Sequence, residues 1–256
     1  MELLGIDIGG SGIKAALVDT AEGKLTTERY RVDTPEDSSP QRVAEIIGEV
    51  AQHFSWQGPI GCGFPGVVQH GIIRTAANVS KSWMNVHAEE IFSEITGCPL
   101  RVVNDADAAG LAENRFGAVH GQPGITIVLT VGTGIGSAIV VDGVLLPNTE
   151  LGHLKFRGDS AERYASDAAR KREDLSWKDW TRRLNEYLAY VYSLFYPDRF
   201  VLGGGLSKKF DKIEEYLQVP CPVYPALLKN EAGIVGAALS ARDLSQPPAA
   251  DAIGAL

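Results

Sequence analysis

The chain runs to 256 residues, 45% hydrophobic and 22% charged, a balance that suits a folded globular protein and excludes a disordered, collagen-like or membrane-embedded one. Its 24 Lys and Arg against 32 Asp and Glu leave a net charge of −8, so the surface as a whole repels polyanions and no nucleic-acid partner is expected. Cys62, Cys98 and Cys221 lie far apart and form no CxxC pair, which predicts buried thiols in a reducing compartment and neither a disulfide framework nor a cysteine zinc site.

In chain order, an alternating strand occupies residues 3–8 without the basic and apolar regions of a signal peptide, so the expected location is cytoplasmic. Strands over 13–19 and 24–32 follow, with Gly9-Gly10-Ser11-Gly12 as a tight turn between the first two. Next come a helix over 40–54, a strand over 60–63, a helix over 87–96, a strand over 100–103 and an alanine-rich helix beginning at Asn104-Asp105. The uncharged stretch 125–141 is too rich in glycine and β-branched residues for a membrane span and reads as two strands around a glycine turn, so no membrane association is expected. A short strand over 144–146 precedes long helices between 161 and 195. A strand over 199–202 then runs into Gly203-Gly204-Gly205, and helices over 206–217 and 231–242 flank a strand over 221–224.

The second half therefore repeats the order of the first. Gly9 and Gly132, Ala15 and Ala138, and Asp19 and Asp142 share one offset of 123 residues, which one duplicated unit explains. The predicted division is a small N-terminal lobe over 1–103, joined by a returning helix over 231–243, and a large lobe over 104–230. The tail over 244–256, with Pro247-Pro248, has little to pack and is expected to fray.

Chemistry concentrates at the turns. If the halves pack about a pseudo-twofold axis, the turn at Asp7 to Gly12 and the turn at Thr130 to Gly136 face one another across a cleft. Glycines there let backbone N–H groups close on phosphate, and the hydroxyls of Ser11 and Thr133 add donors, with Lys14 adding positive charge. Neither turn is a Walker A or a Rossmann fingerprint, so their pairing carries the signal. Asp105, at a strand-to-helix junction, reads either as an N-cap or as a carboxylate placed to take a hydroxyl proton. Glu150 and His153 read as loop-satisfying groups, as two ligands of an incomplete metal set, or as ligand contacts. Gly203 to Gly205 suits an ordinary strand-to-helix turn or a close approach to a ligand. Gly233 and Gly236 would let the last helix cross close to another element. Trp83, Trp177 and Trp180 are assigned to packing.

DIGGSGIK from Asp7, GFPGVV from Gly63, TAANVSKSW from Thr75, NDADAAG from Asn104, LTVGTGIGSA from Leu129, ELGH from Glu150, VLGGGLS from Val201 and GIVGAA from Gly233 stand along the chain in that order. Together they resemble the actin-like sugar-kinase superfamily and, in detail, the ROK sugar kinases, especially the polyphosphate/ATP glucokinases. The resemblance implies an α/β, actin-like ATPase (ribonuclease H-like) duplicated fold, two lobes with a cleft between. It implies transfer of a terminal phosphoryl group from ATP or inorganic polyphosphate to the 6-hydroxyl of glucose, with Mg²⁺, and a homodimer.

By the same resemblance Asp105 is the catalytic base. Donor and cofactor contacts fall on Asp7, Gly9, Gly10, Ser11, Gly12, Lys14, Thr133 and Gly134, with Gly203, Gly204 and Gly205 at the adenosine; Asp7 is also the metal candidate. Sugar contacts fall on Gly66, Asn78, Asn104, Asp105, Glu150, His153 and Glu162. Many relatives carry a cysteine-rich zinc loop after the ELGH histidine, but this chain has no cysteine between Cys98 and Cys221, so structural zinc is not expected. The replacement, residues 154–183, carries nine Lys and Arg against six Asp and Glu, a local +3 in a chain of −8, and reads as a salt-bridged solvated face or as a track for a polyanion. Alternatives are a related hexose kinase for mannose or fructose, and a sugar-sensing ROK regulator. The regulators carry an N-terminal DNA-binding module, for which the residues before Asp7 leave no room.

Overall fold

The computed structural model describes residues 1–77 and 79–245. Asn78 and the predicted tail from residue 246 lie outside the described residues. The chain divides into two units, one comprising Met1–Val103 with the chain from Ala237 onward, the other Asn104–Gly236.

The first unit contains β1 (Glu2–Gly9), β2 (Gly12–Asp19), β3 (Lys24–Leu25), β4 (Tyr30–Val32), α1 (Pro40–His53), β5 (Ile60–Phe64), β6 (Val68–Gln69), β7 (Ile72–Ile73), α2 (Ala88–Thr96) and β8 (Leu100–Asn104, its last residue belonging to the second unit). The main sheet has the order β3-β2-β1-β5-β8, with β4 also on β2. β1 and β2 are antiparallel, and β5 is parallel to β1. α1 opens on Pro40, whose fixed φ suits the first helical turn, and buries Val43, Ile46, Ile47 and Val50 at helical spacing. These pack with Leu4, Ile6, Ile8 and Ile60 of the sheet. Trp83 is fully buried between Phe64 and Phe92, at ring-centre distances of 4.9 and 5.7 Å, and its indole N–H donates to the Ser38 carbonyl. Its role is packing.

The second unit contains α3 (Asp105–Phe116), β9 (Ile125–Val131), β10 (Ile135–Val141), β11 (Val144–Leu146), β12 (Lys155–Phe156), β13 (Asp159–Ser160), α4 (Glu162–Ala165), α5 (Asp167–Arg172), α6 (Trp177–Phe195), β14 (Arg199–Gly204) and β15 (Val223–Pro225). α7 (Ala232–Ser240) passes from the second unit into the first at Gly236 and Ala237. The sheet order β11-β10-β9-β14-β15 repeats that of the first unit: three antiparallel strands, then a strand parallel to the central one. α6 buries Trp180, Leu184, Tyr187, Leu188 and Val191. Glu113 on α3, 1% exposed, accepts backbone N–H groups from Ala118, Leu227 and Leu228. One buried carboxylate thus replaces the sheet or helix partners that those loop amides lack.

Four expectations need correction. The strand over 24–32 is two short strands, because the Thr27 hydroxyl takes the Leu17 N–H that a continuing ladder would have used. The helix over 206–217 is two 3-10 segments, Ser207–Lys212 and Glu214–Tyr216, interrupted by a non-helical Lys209; buried Phe210 and Ile213 stand three apart, the repeat of a 3-10 turn. Between 161 and 195 one long helix follows two short ones, α4 and α5, separated at extended Ser166. The single offset also fails. Ala15 pairs with Ile6, but Ala138 pairs with Val128, whereas the offset equivalent of Ile6 is Leu129. The first hairpin leaves two residues between its end pair Gly9 and Gly12, and the second leaves three between Val131 and Ile135. Aligned at these end pairs, β1 and β9 are offset by 122 residues and β2 and β10 by 123, so an offset that holds before the turn is one too small after it.

Candidate functional site

In the first unit the β1–β2 hairpin presents Gly10 and Ser11 to solvent. Asp7 and Lys14 are cross-strand partners, and their side chains meet at 3.2 Å. Arg31, on β4, donates to the Ser11 carbonyl at 3.3 Å and to Asp33 at 2.9 Å, which fixes the outer side of the turn. Gly66 is buried, and a Cβ there would collide with the Thr75 carbonyl, so only glycine lets the two backbones pass so closely. Asn78 lies outside the described residues.

In the second unit the β9–β10 turn is braced from both sides. Gly132 N–H donates to the Gly134 carbonyl at 3.0 Å, and the Gly132 carbonyl accepts from Ala168 N–H at the start of α5, at 3.1 Å. Thr133 at its tip is exposed. Gly204, at the end of β14, has φ +67° and lies against Val131, a conformation that side chains rarely adopt. Gly203 is buried beside it, and Gly205 is exposed.

The expected sugar contacts Glu150, His153 and Glu162 come together in this unit. His153 Nδ1 is 3.2 Å from Glu150, and its Nε2 is 3.7 Å from Glu162. Glu162 also accepts the Ile135 N–H at 3.2 Å, and a Cβ on Gly134 would strike it. The carboxylate is thereby tied to the base of the β9–β10 turn. Burial holds the Glu150 carboxyl above its ordinary range, His153 opposes this and Glu162 adds to it.

Asn104 and Asp105 are adjacent but do different work. Asn104, not Asp105, is the N-cap of α3: its side-chain oxygen accepts from Ala106 N–H at 2.9 Å and Asp107 N–H at 3.0 Å. Asp105 is the first helical residue, half-buried, with one carboxylate oxygen 2.8 Å from Ala106 N. The structural role that competed with a chemical one for Asp105 is thus taken by its neighbour.

Asp107 was not among the expected site residues. It is 2% exposed, accepts the Asn148 N–H at 2.7 Å through Oδ2, and its Oδ1 has no hydrogen-bond partner. Burial pushes its carboxyl up to about 7, against the Asn148 bond and with help from Glu150. The spacing Asn104-x-x-Asp107 is that of a capping box, in which Asp107 would reach back to its own helix end. It turns instead to a loop 41 residues away, two positions before Glu150.

A carboxyl raised in the folded state makes the fold bind more protons than the unfolded chain between about pH 4 and 7, so stability falls as pH rises through that window. Asp107→Asn keeps an oxygen for Asn148 N–H and removes the charge. It should raise stability at pH 4.5 by no more than about 1 kcal/mol and at pH 8 by on the order of 2–4 kcal/mol. Urea unfolding at the two pH values measures this, and an equal change at both would remove the buried charge as its cause.

The charged segment 154–183 divides into groups committed to packing and paired groups left at the surface. Arg170, 17% exposed, bonds Asp167 at 2.8 Å and lies 4.1 Å from the centre of the Trp177 ring, a packing role. Lys171 also reaches Asp167, at 2.8 Å, and Arg172 bonds Glu173 at 2.9 Å, but both side chains stay exposed. Trp180 is fully buried and donates to the Ser166 carbonyl; Trp177, half-buried, carries Arg170 and Lys209 near its ring. No helix among the described residues is long and apolar enough to cross a membrane.

The chain is 46% identical over 237 residues to the polyphosphate glucokinase of Mycobacterium tuberculosis (strain ATCC 25618 / H37Rv), covering 92% of this chain and 89% of that one. Among solved structures it is similar to the inorganic polyphosphate/ATP-glucomannokinase of Arthrobacter sp. strain KM, at 48% identity, with 93% of this chain and 97% of that one covered and a TM-score of 0.89. It is also similar to a ROK family glucokinase from Streptomyces griseus in complex with glucose and AMPPNP, at 25% identity, 95% and 100% coverage and a TM-score of 0.80. The expected fold, an actin-like (ribonuclease H-like) α/β unit present twice, is the one found. The ROK family profile matches residues 3–163, and with these relatives it places the result beyond fold alone: the chain belongs to the ROK family.

Proposed function

We propose that this protein phosphorylates glucose on its 6-hydroxyl, taking the terminal phosphoryl group of inorganic polyphosphate or ATP. The observation that carries the chemistry is the division of labour at the start of α3: Asn104 caps the helix, and Asp105 stands one residue on, in the same unit as Glu150, His153 and Glu162. In this reading Asn104, Glu150, His153 and Glu162 hold sugar hydroxyls, as carboxylates and amides do in fixed geometry. Asp105 accepts the proton of the 6-hydroxyl as that oxygen attacks the terminal phosphorus. The bond from phosphorus to the bridging oxygen breaks, and the donor leaves as ADP or as polyphosphate one unit shorter. In the first unit Gly66 and Asn78 are assigned to the sugar, and Asp7, Gly9, Gly10, Ser11, Gly12 and Lys14 to donor phosphates. In the second, Thr133 and Gly134 serve the donor, and Gly203 to Gly205 lie at the adenosine.

Mg²⁺ fits the donor set. Among the described residues no three His, Cys, Asp or Glu side chains converge as a metal cage, and this ion is commonly held by one or two carboxylates together with substrate phosphates. Asp7, a hard oxygen donor beside the first turn, would be its protein ligand. When bound, the ion would neutralise charge on the donor phosphates. We further infer a cytoplasmic homodimer without nucleic-acid or membrane partners.

Initial rates of glucose 6-phosphate formation, measured with ATP and with long-chain polyphosphate over a panel of glucose, mannose and fructose, test this reading. Glucose should be used with at least one donor. Turnover only on fructose would move the protein to a different hexose kinase, and none on any sugar would favour a regulator.

A further inference from the structure

The acidic chain carries its positive charge unevenly, and part of the local excess over 154–183 surrounds a cavity of about 350 Å³. Arg157, Arg163 and Arg172 line it, together with Ser160, Tyr164 and a single carboxylate, Asp159. Two of the guanidinium groups are fixed in place. Arg157 bonds Glu186 at 2.7 Å and lies 5.2 Å from the Tyr164 ring centre; Arg172 donates to the Arg163 carbonyl at 2.7 Å and to Glu173 at 2.9 Å. Arg163 reaches Asp159 only at 3.7 Å, and its side chain is 72% exposed. Exposed pairs of this kind are worth little, and a guanidinium fork matches phosphate oxygens two at a time.

The cavity is joined to the β9–β10 turn by one short helix. Ala168, at the beginning of α5, donates to the Gly132 carbonyl, and Arg172 is the last residue of α5. Four residues of helix separate these points, a rise of about 6 Å. All of these groups lie in the second unit. A donor ending at the β9–β10 turn therefore has an arginine-lined cavity within one or two helical turns of its reacting end. ATP would carry an adenosine away from its phosphates; a polyphosphate would carry further anionic units.

We propose that this cavity is a distal subsite for the polyphosphate chain, holding phosphoryl units upstream of the one transferred. The proposal rests on the donor assignment above and adds to it the place where the chain's remote charges are bound. Arg157, Arg163 and Arg172 are its exposed cations, and Arg163 and Arg172, joined by the bond from Arg172 to the Arg163 carbonyl, are the pair that tests it; Arg170, held by Asp167 and Trp177, does not line it.

The test uses R163Q/R172Q against the parent protein, with long-chain polyphosphate, tripolyphosphate and ATP as probes. Calorimetric titration should show long-chain affinity weakened about tenfold and its salt dependence flattened by a slope of about two, one for each lost contact, by analogy with counterion release on nucleic acids. Affinities for tripolyphosphate and ATP, and KM for glucose, should stay within about twofold, with an unchanged melting temperature. Unchanged long-chain binding in the variant, equal losses on ATP, or a parent protein that binds no polyphosphate would each overturn the subsite. A parent protein whose long-chain binding depends on both arginines, yet which makes no glucose 6-phosphate from that chain, would leave the subsite standing and overturn the donor reading.

Discussion

Asp105→Asn should lower kcat for glucose phosphorylation by about a hundred- to ten-thousand-fold, the usual worth of a positioned general base. The loss should be similar with ATP and with polyphosphate, because the proton leaves the sugar hydroxyl whichever donor is used. The substitution is informative because the local structure survives it on physical grounds. Asn104 supplies the cap bonds to Ala106 and Asp107, and the asparagine retains a side-chain oxygen for the Ala106 N–H that Asp105 now meets. Glucose affinity and melting temperature should therefore change little. Turnover within a factor of two of the parent protein would remove Asp105 as base. A matching drop in melting temperature would instead return it to a structural role.

The second large effect concerns stability. Gly236→Ala and Gly61→Ala should each cost more than about 4 kcal/mol or prevent folding, well beyond an ordinary core substitution. In the second unit a Cβ on Gly236 would overlap the Ala108 carbonyl of α3; in the first, a Cβ on Gly61 of β5 would overlap the Ala237 carbonyl of α7. Both obstacles are backbone atoms within regular elements, so relief requires moving a helix rather than rotating a side chain. Gly97 is the contrasting case. It has φ +68° with nothing within 4 Å of the added atom, so Gly97→Ala should cost only about 1–2 kcal/mol, the strain of a left-handed residue. Urea midpoints of the three variants measure the difference; three similar losses would mean that backbone conformation, and not close approach, sets the requirement.

The two sheets were legible because their central strands alternate or are continuously apolar and because glycine marks the hairpin between each antiparallel pair. The motif order carried the family, and GIVGAA signalled the close helix crossing that Gly236 makes. Other features depend on partners distant in sequence. Nothing near Asp107 announces that its carboxylate will meet Asn148, and the capping-box spacing points to the wrong acceptor. A strand over 24–32 looks continuous until the Thr27 hydroxyl competes for the Leu17 amide. The spacing of Leu206, Phe210 and Ile213 suits an α-helix nearly as well as the 3-10 segments that form. Composition counted Arg170 with the exposed cations, whereas Asp167 and the Trp177 ring commit it to packing.

The unequal hairpins bear on ancestry. A residue gained or lost within a paired strand turns every later side chain to the opposite face and would destroy the buried pattern, whereas the same event at the tip is absorbed by the loop. The two halves differ by one residue at that tip, between Gly9 and Gly12 in one and Val131 and Ile135 in the other. Drift after the ancestral doubling was thus tolerated at the exposed tips and suppressed where the strands meet the core. The halves are no longer spare copies of one another: grafting the shorter tip onto the later hairpin would remove the residue equivalent to one of Gly132, Thr133 and Gly134, and with it the geometry that receives Ala168 N–H. Internal symmetry of the scaffold has become the background for two turns of different length and bracing.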